Sequence, residues 1–388
     1  MTLPAEALAK LLALLPVFST EEIPLRDALN RVLASPANAQ RDQPPFTTSM
    51  MDGYALNGVE ADPEAMFSII GEASAGHAFC GKVGAGECVR IFTGAPLPTG
   101  TNRVIKQEEA TAKGTLLTLA RDLSPRDFTR APGSDFATGD SLTAPRRLTP
   151  EDLARLAAMN VANLTVARKP IIAILPTGDE LVMPGGVPRA DQIIASNGFA
   201  LAGIVENAGG IARVLPIAGD TLASVQAALE LAQDADLIVT TGGASVGDYD
   251  IIAGLGGTDA VSHAFTSVAM RPGRQMMAGK IGDVAFLGLP GNPTAVMVLG
   301  RVFLQPAIAQ MLAVTPTAPQ TARLAENLPA NSGVETYQSA RLEAGEITAQ
   351  KGTKSGLLSP LSTVNALLIR PAGDSARPIG SNIAFIPL

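Results

Sequence analysis

The sequence predicts a multi-domain α/β chain: a central parallel α/β sheet domain flanked by an all-β module, an N-terminal helical segment and a small C-terminal β-domain. Three observations lead there. Between 169 and 314, short apolar runs alternate with helical patterns, as expected where crossover helices join parallel strands. From Ala55 to Leu119, and again from Thr321 to Leu388, short alternating stretches are punctuated by Gly and Pro, the pattern of β-strands and turns. Finally, 388 residues are too many for one hydrophobic core.

Pro4–Leu15 and Pro24–Leu33 carry apolar residues at helical spacing and read as two packing helices. The prolines after Arg41 favour an extended entry, and Asp52-Gly53 signals a turn. In the β-rich stretch, Arg90–Pro98 reads as a strand running into a rigid turn, and Val104–Glu109 as another strand. Arg130–Phe136 is a polar loop. Thr149-Pro150-Glu151-Asp152 is a helix start with Thr149 as cap, and that helix is expected to rejoin the N-terminal ones. The division is 1–40 plus 141–168 (helical linker), 41–140 (β-rich), 169–314 (α/β) and 315–388 (C-terminal β).

In the α/β part, Ile171–Leu175 is continuously apolar, as befits a strand buried on both faces. A helix over Ser196–Ala208, a strand over Ala212–Pro216, a helix from Asp220 to Ala232 and a strand over Asp236–Thr241 follow. Val261–Met270, Gln275–Lys280 and Val284–Leu289 read as extended, and Thr294–Leu312 as an apolar helix.

Composition excludes several classes. The net charge of −7 and the absence of Trp speak against broad nucleic-acid binding. The N-terminus lacks the pattern of an export signal, and no uninterrupted apolar run has bilayer length. A cytoplasmic protein without membrane attachment is expected, with Cys80 and Cys88 as reduced thiols. Two histidines are too few for a His-based zinc or catalytic constellation.

The chemistry centres on Val239–Asp250, where a buried strand breaks into Thr241-Gly242-Gly243-Ala244-Ser245-Val246-Gly247 and ends in Asp248 and Asp250. Glycines let backbone N–H groups converge on a phosphate. Adjacent carboxylates then call for a bridging cation. Asp179, Glu180, Asp220, Asp248 and Asp250 all follow strands, and ligands of such sheets bind at the C-terminal strand ends. Arg271, Arg274 and Lys280 lie near a second turn, Leu289-Pro290-Gly291-Asn292-Pro293; they read either as an anion pocket or as a solvated hairpin.

Together with Ser49-Met50-Met51-Asp52-Gly53-Tyr54-Ala55, Thr93-Gly94-Ala95-Pro96 and Pro176-Thr177-Gly178-Asp179-Glu180-Leu181, these turns make the chain resemble the molybdopterin molybdenumtransferase family, which includes the C-terminal domain of gephyrin. The resemblance spans essentially the whole chain. It implies a central domain of the molybdopterin-binding type and an elongated homodimer with active sites between subunits. It implies transient contact with other molybdenum cofactor enzymes, while composition already speaks against a nucleic-acid or membrane partner. The implied reaction inserts molybdate into adenylylated molybdopterin, hydrolysing the adenylate and releasing AMP, with Mg²⁺ or a similar cation.

Under that resemblance Asp52, Asp135, Glu180, Asp220 and Asp250 are the catalytic candidates. Thr177, Gly178, Gly242, Gly243, Ser245, Gly247, Arg271, Arg274, Pro290, Gly291 and Asn292 would hold the pterin adenylate. Glu180, Asp220, Asp248 and Asp250 would hold the metal, and Arg130 and Ser355 the molybdate. The chain departs from the family pattern in having Arg271 and Arg274 for Lys, Ser134 for Glu, Ala195 for Asp, and Asn102-Arg103 in a usually acidic and small stretch. Two alternatives share these motifs: a molybdopterin adenylyltransferase, and a scaffold that keeps the fold without the catalysis.

Overall fold

The computed structural model describes residues 1–242, 261–331, 333–350 and 356–388. They form two compact units. A larger unit takes Met1–Glu21, Asn30–Ala34 and Val166–Leu388, and a β-rich unit takes Glu22–Leu29 and Ser35–Thr165.

Apolar residues at helical spacing give α1 (Pro4–Leu12), which starts on a proline and buries Ala7 and Leu11 in the core of the larger unit. The second expected helix, Pro24–Leu33, does not form. Leu25–Asp27 makes a single 3₁₀ turn, Asn30 takes φ 62°, and Val32–Leu33 is a short strand. Asn accepts that left-handed backbone at low cost, and the turn it makes ends any helix there.

The β-rich unit is built on a six-stranded sheet: β1 (Gly53–Leu56), β2 (Met66–Ala73), β3 (Glu87–Ile91), β4 (Arg103–Lys106), β5 (Ala110–Lys113) and β6 (Leu116–Leu119). Their order is β4-β1-β3-β2-β6-β5, and only β2 and β3 run parallel. Alternating side chains serve two apolar clusters, one around Val89, Ile91 and Val104, the other around Leu56, Ile105 and Leu117. Helix α2 (Pro150–Ala158) closes the unit's sequence. Thr149 and Asp152 cap it reciprocally, satisfying two backbone donors at once. Helix α1 belongs to the larger unit and α2 to the β-rich one.

In the larger unit, β7 (Ile171–Pro176), β8 (Ile211–Val214), β9 (Leu237–Thr241), β10 (Val261–Phe265), β11 (Met270–Arg271), β12 (Met277–Ile281) and β13 (Val284–Leu289) follow in sequence. All but β11 form one sheet, ordered β8-β7-β9-β13-β12-β10. The first four strands are parallel and the last two antiparallel. Buried Ile172, Ile174, Leu237 and Val239 serve one face of it, and Ala173, Leu175 and Ile238 the other. That is why these strands read as unbroken apolar runs. Helices α3 (Asn197–Ala208), α4 (Leu222–Glu230) and α5 (Pro293–Met311) cover the faces.

Helix α5 is long and apolar enough to pass a length-and-hydropathy test for a bilayer, but its window is 67% buried inside the protein, the behaviour of a core helix. Its middle, Gly300–Leu304, widens to a π-helix. Pro306 lies just beyond and has no N–H to give to residue 302, and the wider turn accommodates the missing bond.

The remaining strands are β14 (Gln320–Leu324), β15 (Glu335–Glu343), β16 (Glu346–Ala349), β17 (Ala366–Arg370) and β18 (Asn382–Pro387). They pair in the order β15-β16-β14-β18-β17, and β17 returns to β15, closing a small barrel. Strand β11 adds to it through Met270↔Glu335 and Arg271↔Thr336.

Candidate functional site

The described residues of the five motifs fall in two polar centres, one in each unit. In the larger unit, β7, β9 and β13 end side by side: Pro176 pairs with Thr241, and Thr241 with Leu289. This register sets Thr177, Gly242 and Pro290, the first residues after the three strands, along the C-terminal edge of the sheet, where such sheets bind ligands. Thr177 donates its N–H to the Thr241 carbonyl at 2.9 Å. Gly242 stands at φ 89°, and a Cβ there would lie 2.3 Å from the Thr177 carbonyl oxygen. Only glycine fits such a conformation at such a distance. Gly291 completes the approach, its built Cβ reaching the Gly242 Cα at 3.6 Å.

Asn197 Nδ2 donates to the Gly291 carbonyl at 2.8 Å, joining the start of α3 to the turn after β13. Asn292 caps α5, accepting from the N–H groups of Thr294 and Ala295. The open cleft here has a cavity volume of about 80 Å³. Thr177, Glu180, Asn197 and Gly242 give it polar atoms, and Leu181, Ile193 and Ile194 an apolar wall.

The carboxylates after these strands divide. Glu180 is exposed and folds its carboxylate over Gly178, whose φ of 141° leaves that space free; a Cβ would meet Glu180 Oε2 at 2.3 Å. Asp179 and Asp220 clasp each other's backbone: Asp220 N–H donates to Asp179 Oδ1 at 3.1 Å, and Asp179 N–H to Asp220 Oδ2 at 3.5 Å. Among the described residues no group of three His, Cys, Asp or Glu side chains is placed to hold a metal. Gly243, Ser245, Gly247, Asp248, Asp250 and Ser355 lie outside the described residues.

A second cleft, of about 760 Å³, opens beside the first turn of α5. Arg271, Arg274 and Asn292 face Tyr337 and Ser339 of barrel strand β15 across it. Both arginines are exposed, and among the described residues neither has an acidic partner within salt-bridge distance. Tyr337 donates its hydroxyl to Glu335 Oε1 at 2.6 Å; burial first, then this carboxylate, pushes its phenol upward. Ser339 is only 6% exposed. Tyr337 and Ser339 are not singled out by the sequence, because their place beside the cleft depends on β15 lying next to the turn at Arg271.

In the β-rich unit the Ser49–Asp52 turn is gripped from two sides. Gly94 N–H donates to the Ser49 carbonyl and Ser49 N–H to the Ala95 carbonyl, at 2.9 and 3.0 Å. On the other side Thr129 pairs with Ser49, and Arg130 with Thr48. Asp52 Oδ1 accepts from Thr93 N–H and Thr93 Oγ1, both at 2.8 Å. The Thr93 N–H, then its hydroxyl, holds the Asp52 carboxyl below the usual range. Gly53 is required next door, since a Cβ would strike the Ile105 carbonyl oxygen at 1.9 Å.

Asp135 and Ser134 are exposed. The Asp135 N–H donates to the Gln43 carbonyl at 3.0 Å, fixing that loop by its backbone. Asn102 and Arg103 serve the fold, accepting from Gly58 N–H and donating to the Ser124 carbonyl respectively. Ala195, 5% exposed, lines the first cleft.

Three family models match in order: one described as the MoeA N-terminal region (domain I and II) over residues 3–160, a probable molybdopterin binding domain over 173–310, and the MoeA C-terminal region (domain IV) over 321–388. A molybdopterin molybdenumtransferase of Nostoc sp. is 32% identical over 95% of this chain and 89% of its own. The chain belongs to the molybdopterin molybdenumtransferase family. A Haemophilus influenzae protein of the same name is 34% identical over 79% of this chain and 76% of its own. Among solved structures, the molybdopterin biosynthesis MoeA protein of Pyrococcus horikoshii OT3 covers both chains in full, at 26% identity and a TM-score of 0.85. The expected resemblance and fold class therefore hold, with the C-terminal β-domain closing as a barrel.

Proposed function

We propose that the protein is a molybdenum insertase of molybdenum cofactor biosynthesis: it inserts molybdate into adenylylated molybdopterin, hydrolyses the adenylate and releases AMP. The observation that carries this reading is the convergence of Thr177, Gly242 and Gly291 at three adjoining parallel strand ends. Backbone donors at such an edge suit a phosphate, and the apolar wall of Ile193 and Ile194 beside them suits a heterocycle. The name molybdopterin molybdenumtransferase, shared by relatives matched over most of their length, supports molybdenum transfer to molybdopterin, and AMP release is consistent with it.

The residue roles proposed are those the sequence motifs suggest. Thr177, Gly178, Gly242, Pro290, Gly291 and Asn292 bind the pterin adenylate, together with Gly243, Ser245 and Gly247 of the same turn. Arg271 and Arg274, across from Ser339, hold its anionic end through planar guanidinium forks. Arg130 and Ser355 hold molybdate. Asp52, kept ionised by Thr93, and Asp135 orient groups around the reacting centre.

Mg²⁺, if bound, neutralises phosphate charge as the anhydride is cut. The described carboxylates suit a hard cation in chemistry: Glu180 is exposed after β7, and Asp220 is held against the neighbouring Asp179. Asp248 and Asp250 are the further ligands proposed. A cytoplasmic homodimer with the catalytic centre between subunits completes the reading.

The test incubates the protein with adenylylated molybdopterin, molybdate and Mg²⁺. Release of AMP, together with a product that activates an apo-molybdoenzyme, is expected. Absence of both at any protein concentration overturns the proposal, and ATP-dependent formation of the adenylate points instead to the adenylyltransferase. Chelation by EDTA, with rescue by Mg²⁺, tests the cation. Light scattering at a mass twice that of the 39.8 kDa chain tests the dimer.

A further inference from the structure

Six non-glycine residues among those described have φ above zero: Asn30, Glu64, Phe128, Asn160, Ala313 and Ala344. Phe128 is the bulky one, at φ 50°. A large aromatic side chain is disfavoured there, and such a conformation persists only where the surroundings impose it. The surroundings of Phe128 are unusual. Lys106 Nζ lies 5.3 Å and the Arg126 guanidinium 5.2 Å from its ring centroid, so two cations flank one ring. The ring also packs on the cluster containing Val89, Ile91 and Val104.

The backbone at this position links two elements of the proposed centre. The Phe128 carbonyl accepts from Met50 N–H at 2.9 Å, two residues before Asp52. The next residues, Thr129 and Arg130, pair with Ser49 and Thr48. Just before it, the Asp127 carbonyl accepts from Val104 N–H at 2.9 Å, anchoring the segment to β4. The left-handed residue thus turns the chain off the sheet and onto the Ser49–Asp52 turn.

We propose that Phe128 is a positioning residue: its pinned ring fixes a left-handed turn that sets Arg130 in register with the turn carrying Asp52. This rests on the reading of Arg130 as the molybdate-binding cation and of Asp52 as part of the same centre. The ring touches no substrate. It acts by holding the carbonyl that binds Met50 and the register that places Arg130.

The experiment compares Phe128→Gly, Phe128→Leu and Phe128→Tyr in the full chain. Glycine accepts the left-handed backbone but removes the ring, leucine keeps apolar bulk without a π face, and tyrosine keeps both ring and face. Hydrogen exchange of the 47–53 segment is read first, because it does not depend on the reaction. Faster exchange in F128G, with exchange restored in F128Y, is expected. Under insertase conditions, the KM for molybdate should rise about tenfold in F128G with a smaller change in kcat, the mark of a misplaced binding group. F128Y should return close to wild type.

Wild-type exchange in the 47–53 segment of folded F128G overturns the proposal, as does an unchanged KM for molybdate in that variant while wild type is active. If F128G does not fold, F128L is judged by the same two criteria. If wild type shows no insertase activity, the functional reading fails and the exchange result alone decides the role of Phe128.

Discussion

Gly242→Ala is the sharpest perturbation of the larger unit's centre. Two costs add. An L-residue at the φ of 89° pays roughly 1–2 kcal/mol for the left-handed backbone. The new methyl would also lie 2.3 Å from the Thr177 carbonyl oxygen, which is backbone and cannot swing aside like a side-chain end. The two chains must part by about 1 Å before ordinary contact is reached. That movement strains the 2.9 Å bond from Thr177 N–H to the Thr241 carbonyl, worth roughly 0.5–1.5 kcal/mol. A destabilisation of about 2–3 kcal/mol is expected, with loss of AMP binding because the same movement separates the strand ends. Urea denaturation followed by circular dichroism measures the first, and calorimetric titration with AMP the second. A midpoint within error of wild type with undiminished AMP affinity refutes both the clash and the phosphate role of the turn.

Gly178→Ala separates activity from stability. Its methyl would meet the Glu180 carboxylate, a side-chain end that can move, so stability should fall by only about 1–2 kcal/mol, while AMP release drops with the displaced carboxylate. Asp52→Asn tests the Thr93 clasp through pH. The folded carboxyl is held low, so it adds stability above the unfolded value of about 4 and loses it as pH falls through the folded value; acid titration of the D52N variant should lack that component, seen in urea midpoints between about pH 5 and 2. Asp374→Asn tests the barrel. Asp374 joins Arg370 and Arg377, and it and Arg370 are 8% and 5% exposed at the side chain. Removing its charge strands a buried guanidinium and should cost about 3 kcal/mol, measured by urea denaturation at pH 7, where the low-lying Asp374 carboxyl is ionised.

The parallel strands were legible because burial on both faces leaves an unbroken apolar run. Ile171–Leu175 and Leu237–Thr241 fall where they were expected. The α2 cap was legible because Thr149 and Asp152 satisfy each other within one turn. The Pro24–Leu33 segment misled because its apolar spacing suits a helix equally well, and tertiary pairing of Val32–Leu33 with the strand at Val166 decided otherwise. At the site, glycines and carboxylates were visible as types. Which carboxylate is free was not. Asp179 and Asp220 bind each other's backbone, an arrangement that depends on β7 and the turn before α4 lying side by side, 41 residues apart in sequence.

The β-rich unit holds an internal control for the role of Asp52. Asp42 makes the same clasp: its Oδ1 accepts from Thr138 N–H at 2.7 Å and from Thr138 Oγ1 at 2.8 Å. The Thr138 N–H and then its hydroxyl lower the Asp42 carboxyl as Thr93 lowers Asp52. An Asp–Thr clasp is therefore a way of tying distant loops, and neither a depressed carboxyl nor two short hydrogen bonds mark catalysis. What separates Asp52 is its position. It sits on a turn gripped by both the Thr93–Ala95 segment and the strand bearing Arg130. Gly53 behind it lets β4 approach so closely that any side chain would collide. The case for Asp52 thus stands on the neighbours the fold gives it, and Thr93→Val set against Thr138→Val weighs that difference directly: equal loss of stability with unequal loss of insertase activity.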